Sequence, residues 1–257
     1  MKEFPGLEQM QAHVPELRRR GGSLLVALYV LGNFALVALS FVLLDAFWPQ
    51  GTLVTQFAVL GIGFFWLSRF ILRHAAFTQK WGKQAYRNAF VIFCVPGLAL
   101  ILSAVIHIAY MPGPVIPLGW WSPGVVTLGL YFLAVGFAIW ARTIFAFGFD
   151  NLAMLYVYFP AEGRLVDTAL YATLRHPTYA AVIRFGLGMA LLNGNWFALA
   201  FALFMPLGMT IWLRLVEEKE LLERFGAGYA EYRKKVPAFW PRPKDYGRFW
   251  KFLVTGK

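Results

Sequence analysis

Acidic residues are scarce. The 257 residues include 13 Asp and Glu against 24 Lys and Arg, and charged residues of all kinds make up 14% of the chain, where a water-soluble domain carries about 25%. So little charge cannot clothe a soluble surface. With 59% hydrophobic and 18% aromatic residues, the composition is that of an all-α polytopic membrane bundle. Cysteine is nearly absent: Cys94 stands alone in an apolar stretch, which excludes an intrachain disulfide, leaves the redox compartment unreadable and makes it core filler. Internal repeats and low-complexity tracts are missing. So are a helix-turn-helix pattern and an aromatic-interleaved RNA-binding motif, and no nucleic-acid partner is expected for the formal charge of +11. Gly61-Ile-Gly63 and Gly186-Leu-Gly188 do not complete a dinucleotide fingerprint; they read as small residues that let helices approach closely.

What is present is a series of apolar runs, each near the roughly 20 residues that a helix needs to cross a bilayer. Residues 23–47, 52–72, 89–111 and 124–147 are single spans. The run 178–216 is too long for one, and the turn-forming Asn193-Gly194-Asn195-Trp196 divides it into a helical hairpin. This predicts about six spans, with the last helix continuing past the membrane through "RLVEEKELLERFG". The first run exceeds the length of a signal-peptide core and further spans follow it, so no cleaved leader is expected.

Lys and Arg accumulate on cytoplasmic loops. Arg18–Arg20, the stretch from Arg73 to Arg87, Arg142, Arg164 and the tail from Arg224 onward are basic, whereas the connections around Pro49, 112–120 and 193–195 carry neither Lys nor Arg. Both termini are therefore expected in the cytoplasm, and the protein in the cytoplasmic (inner) membrane if it is bacterial. Residues 1–257 read as one membrane domain: a cytoplasmic N-terminal segment (1–22), a four-span scaffold (23–147), a polar module (163–241) and a basic tail (242–257). Leu7, Met10, Val14 and Leu17 lie at helical spacing, interrupted by Pro15, and suit a segment lying on the membrane surface.

Polar chemistry gathers after residue 140. In "TLRHPTYAAVIRFG", Pro177 suits the first turn of a helix, where its missing N–H costs nothing. That puts His176 at the cap, Tyr179 on the same face and Arg175 beside a helix N-terminus that favours anions. These residues would equally suit lipid phosphates and an interfacial aromatic belt. A second cluster shifts the balance: 5 of the 13 acidic residues fall between Glu217 and Glu231, close to hydrocarbon, where carboxylates need partners or a function. Arg214 and Glu218 are spaced to pair along a helix; Glu220 and Glu223 also fit ordinary surface charges. His107 is expected to satisfy a backbone carbonyl.

Together, "GRLVDTALYATLRHPTY" and "RLVEEKELLERFGAGYAEYRKKVPAFWP" resemble the C-terminal module of the isoprenylcysteine carboxyl methyltransferase and phospholipid methyltransferase superfamily, with its RHPxY, EExxL, FGxxYxxY and VPxxxP pattern, over roughly residues 163–241. The resemblance implies an integral membrane methyltransferase that binds S-adenosylmethionine from the cytoplasmic side and takes a lipidic or small hydrophobic acceptor from the membrane: a phospholipid amine, a prenylcysteine carboxylate or a thiol. It implies a cofactor pocket of Tyr171, Arg175, His176, Tyr179, Glu217 and Glu218, with Arg175, His176 and Glu218 nearest the chemistry. Such methyl transfer needs no metal; it needs an in-line nucleophile held about 3–3.5 Å from the methyl carbon in a water-excluding site. His176 or a glutamate would serve as base for an amine or thiol. Ala169-Leu170 and Ala181 stand where the family often has Gly-Pro and glycine.

Arg184 lies about two turns into a span, where arginine needs a partner; it reads as an anchor for an anionic acceptor group or, equally, as a partner of Asp150 or of a backbone carbonyl. Arg142, Asp150, Asn151 and Arg214 complete the candidate acceptor residues. Two other readings remain: an NADPH-dependent membrane reductase of the sterol-reductase type, and a non-catalytic membrane protein. The oligomeric state cannot be read from the sequence.

Overall fold

The computed structural model describes residues 5–256; the first four residues of the N-terminal segment and Lys257 of the basic tail lie outside them. The described chain is helical apart from loops and a single bridge between Val115 and Asn195. Its α-helices are α1 (Leu7–His13), α2 (Arg20–Phe47), α3 (Thr52–Leu72), α4 (His74–Trp81), α5 (Ala85–Ala89), α6 (Val95–His107), α7 (Ser122–Phe147), α8 (Phe149–Leu152), α9 (Pro177–Asn193), α10 (Trp196–Trp212), α11 (Glu218–Lys235) and α12 (Tyr246–Thr255).

Five stretches are long and apolar enough to cross a membrane: Arg20–Phe47, Pro49–Leu72, His74–His107, Gly119–Ala146 and Trp196–Lys235. The sixth expected span, α9, has 17 residues, or about 25 Å of helix, at the short end of what spans a bilayer. Much of it is buried, in contact with α7 on one side and α10 on another. α2 is its opposite, an outer helix with Phe41 as its buried residue and many exposed leucines and valines, as suits a helix whose solvent is lipid.

Glycines set the closest approaches. A side chain at Gly188 would meet Leu133 of α7 at 2.8 Å and the Gly129 carbonyl at 2.9 Å, and one at Gly186 would meet Met205 Sδ of α10 at 2.3 Å. The small pairs therefore admit neighbouring helices, the role expected of them. Cys94 is fully buried.

The three connections free of Lys and Arg lie at one end of the bundle. Asn193 and Asn195 donate to the carbonyls of Ile108 and Met111, and the Ile116 and Trp196 amides bind Gly194 and Pro114 across the two loops. The polar side chains of this end form a network. His107 places Nδ1 2.7 Å from Gln56 Oε1 and Nε2 2.6 Å from Asp45, and Thr52 donates to Asp45 at 2.8 Å. His107 was expected to meet a backbone carbonyl; the side chains of α2 and α3 reach it first, because each helix ends with a polar residue at the same depth.

At the opposite end α1 does more than lie on a surface. Met10 and Val14 are buried in the core, and His13 pairs with Glu162 at 3.0 Å while stacking on Phe159.

Candidate functional site

Pro177 opens α9 with His176 at its cap, as the proline dictates. The amides of Arg175 and His176 bind the carbonyls of Pro237 and Ala238, so the segment after α11 pairs with the residues before α9. Two distant motifs are thereby fixed side by side. A wider, π-type turn at Leu213–Glu217 joins α10 to α11, and it sends the two adjacent glutamates in different directions.

Glu218 points inward and is 2% exposed. It receives Arg175 Nε at 2.8 Å and lies 3.2 Å from Arg233 Nε and 3.4 Å from His176 Nε2. Arg175 also donates to the Val236 carbonyl at 2.7 Å. Glu217 turns the other way, onto a cavity, and accepts hydrogen bonds from Tyr179, which in turn receives Trp212 Nε1 at 3.0 Å. His176 Nδ1 lies 3.3 Å from Glu217, so each ring nitrogen faces a carboxylate. Burial disfavours the imidazolium, but Glu217 and Glu218 outweigh it and hold the His176 pKa above the ordinary histidine value. An imidazolium donating from both nitrogens is a clamp between two carboxylates, and it has no lone pair with which to act as base.

The cavity has a volume of about 350 Å³, at the lower end of small-molecule sites. Tyr171, Arg175, His176, Tyr179 and Glu217 line one part of it. The other part is apolar, walled by Leu67 and Ile71 of α3, Leu98 and Ile101 of α6, Val182 of α9 and Met209 of α10. Tyr171 is buried, and its carbonyl accepts Tyr232 Oη at 2.7 Å. Burial, more than the neighbouring Tyr232, raises its pKa above the ordinary tyrosine value.

Several lining residues escaped the sequence reading. Glu220, which fitted a surface charge, is 9% exposed; it pairs with Arg224 at 3.0 Å, and both face the cavity. Their spacing of four along a helix is the available signal. Tyr156, Arg164, Tyr229 and Tyr232 also line it. Burial, with Asp150 next to it, lifts the Tyr156 hydroxyl to about 12.

The proposed acceptor residues are placed elsewhere, with Asn151 the exception on the cavity wall. Arg184 is 4% exposed and gives its guanidinium to the carbonyls of Ala180 and Phe239 at 2.8 and 3.2 Å, under the Trp240 ring at 4.0 Å. This is the backbone partner weighed for it. Arg142 donates to Leu253 and Val254 at the end of α12. Asp150 accepts from Tyr156 and packs against Gly6, fastening the N-terminal segment. Arg214 is exposed and does not pair with Glu218, because the π-type turn between them breaks the four-residue register on which that pairing depends. Glu218 likewise stays off the cavity wall, fully engaged behind it.

Fold and site define an integral membrane helical protein with one cavity that is part ionic and part hydrocarbon. Residues 125–228 match the family model described as phospholipid methyltransferase. A protein-S-isoprenylcysteine O-methyltransferase of Schizosaccharomyces pombe is 37% identical over 79 residues, 29% of this chain and 31% of that protein. The chain thus spans under a third of the length of this curated relative. No solved structure matches. Through its matched C-terminal region, the chain belongs to the isoprenylcysteine and phospholipid methyltransferase superfamily.

Proposed function

We propose that the protein transfers a methyl group from S-adenosylmethionine to a lipidic or small hydrophobic acceptor, with both termini in the cytoplasm. The observation that supports this best is the two-part cavity. A charged, polar donor fits the part lined by Glu217, Arg175, Arg224 and the tyrosines, and an apolar acceptor fits the part between α3, α6, α9 and α10.

The residues suit the donor's chemistry. The side chain of Glu217 is 25% exposed and offers a carboxylate to an ammonium group, Arg224 and Arg175 offer guanidinium groups to a carboxylate, and the tyrosine rings offer faces to a cation. S-adenosylmethionine supplies a methyl carbon on a sulfonium leaving group. The protein's task is to bind, orient and exclude water. His176 fixes Glu217 from behind, and Glu218 fixes His176 and Arg175. For an acceptor that must lose a proton, Glu217 and Glu220 are the carboxylates within the cavity. The printed name of the yeast relative favours an acceptor of the prenylcysteine type; a phospholipid amine and a thiol are the other two classes.

Titration calorimetry of the solubilised protein with S-adenosylmethionine and with NADPH tests the donor. We expect binding of the first alone, weakened at least tenfold in Glu217→Gln; binding of NADPH alone would replace the proposal with the reductase reading. Labelled methyl transfer into lipid extract, prenylcysteine analogues and small thiols then names the acceptor.

A further inference from the structure

The sequence read residues 242–257 as a basic tail, yet they fold into α12, and its three faces differ. Phe249 and Leu253 are buried against the protein. Tyr246, Trp250 and Val254, spaced by four, form an apolar stripe that is 45%, 38% and 72% exposed. Arg248 and Lys251 are exposed as well, and at about 100° per residue they fall on a third face, beyond the apolar stripe from the buried one. A helix in water has no use for that exposed aromatic stripe. One lying in the headgroup layer uses all three: protein beneath, acyl boundary at the side, phosphates at the basic edge.

The position of α12 suits that layer. Arg142 lies five residues from the end of the spanning helix α7 and donates to the Leu253 and Val254 carbonyls at 3.0 and 2.6 Å. Gly256, in the left-handed region at φ 75°, leaves room there, since a side chain would meet Arg142 Nη1 at 2.8 Å. The C-terminal end of α12 is therefore tied to the membrane edge of α7. The helix also rests on the turn Ala169–Ala172, which contains Tyr171 of the cavity wall.

We propose that α12 is a docking surface for anionic phospholipid headgroups of the leaflet on its own side, and that this docking braces the turn carrying Tyr171. The charge complementarity of Arg248, Lys251 and the neighbouring Lys244 commits the surface to an anionic bilayer. The docking itself is independent of the methyl-transfer proposal, since its tests read no activity.

Hydrogen exchange of residues 246–255 in the full-length protein tests it, in nanodiscs of phosphatidylcholine alone and with 30% phosphatidylglycerol. Each basic residue near an anionic surface strengthens attachment about fivefold, so two predict up to about 25-fold slower exchange in the anionic discs. The difference should vanish in Arg248→Gln/Lys251→Gln. A nitroxide at Val254→Cys should also be relaxed by oxygen more than by a water-soluble nickel chelate. Equal exchange in the two lipids, or a difference that survives in the double variant, overturns the proposal. So does a nitroxide that reports water, which would make α12 a solvent-exposed helix or a surface for a soluble protein.

Discussion

Replacing Glu218 by Gln keeps its shape and removes its charge. The carboxylate is 2% exposed, Arg175 is 15% exposed, and their contact is 2.8 Å; losing one partner of a buried pair costs about 3–5 kcal/mol. Arg233 is 41% exposed and can turn to water, and Arg175 retains the Val236 carbonyl, which brings the expected loss to about 2–3 kcal/mol. For a chain of this size that is roughly 5–10 °C in the unfolding midpoint, measured by tryptophan fluorescence in detergent. The pH dependence carries a second signature. The pKa of His176 is raised in the fold, so its contribution is fully present below its unfolded value of about 6.5 and is lost as pH rises through the folded value. Without Glu218 one of the two carboxylates that raise it is gone, and the loss moves to lower pH. A cycle with Arg175→Met isolates the pair, because the carbonyl bond to Val236 is removed equally in both arms. An unchanged midpoint and pH profile, or strictly additive single effects, would refute the claim that Glu218 organises the site.

Two further outcomes are expected. Arg184→Leu should lower the unfolding midpoint, by an amount corresponding to about 2–3 kcal/mol, because the Ala180 and Phe239 carbonyls lose their donor and Trp240 its stacked cation; a stable variant that binds S-adenosylmethionine but fails in methyl transfer would restore the acceptor-anchor reading. A cysteine at Asn193 should react with impermeant reagents from the extracytoplasmic side and one at Lys234 from the cytoplasm; reaction of both from one side would remove the proposed orientation.

Much of this was legible in the sequence, and the reasons are local. Apolar runs report spans because every residue facing lipid must be apolar, and Pro177 reports the start of α9 because its ring fits a first turn. The proximity of "RHPTY" to the Glu217–Glu218 pair was carried by resemblance, and backbone pairing of Arg175 and His176 with Pro237 and Ala238 is what realises it. The partners of Arg142, Arg184 and His107 were not legible. Each spans from 48 to 112 positions or meets carbonyls, which every residue has and no pattern marks. α12 was hidden for another reason: its stripe of Tyr246, Trp250 and Val254 lies among lysines and arginines, and counting charge conceals spacing.

The π-type turn at Leu213–Glu217 has a bearing on how the chain tolerates change. Such a turn amounts to one residue inserted into an otherwise continuous helix, so deletion of a single residue there would leave a regular α-helix and no gap. Everything beyond would rotate by about 100°. The two glutamates would exchange stations, with an acid still in each motif and the composition almost untouched, while Arg175 faced whatever side chain the rotation delivered. Substitutions around Glu217 and Glu218 are thus graded losses, whereas changes in length are all or nothing. Descendants of this chain can vary the letters of that turn far more freely than their number.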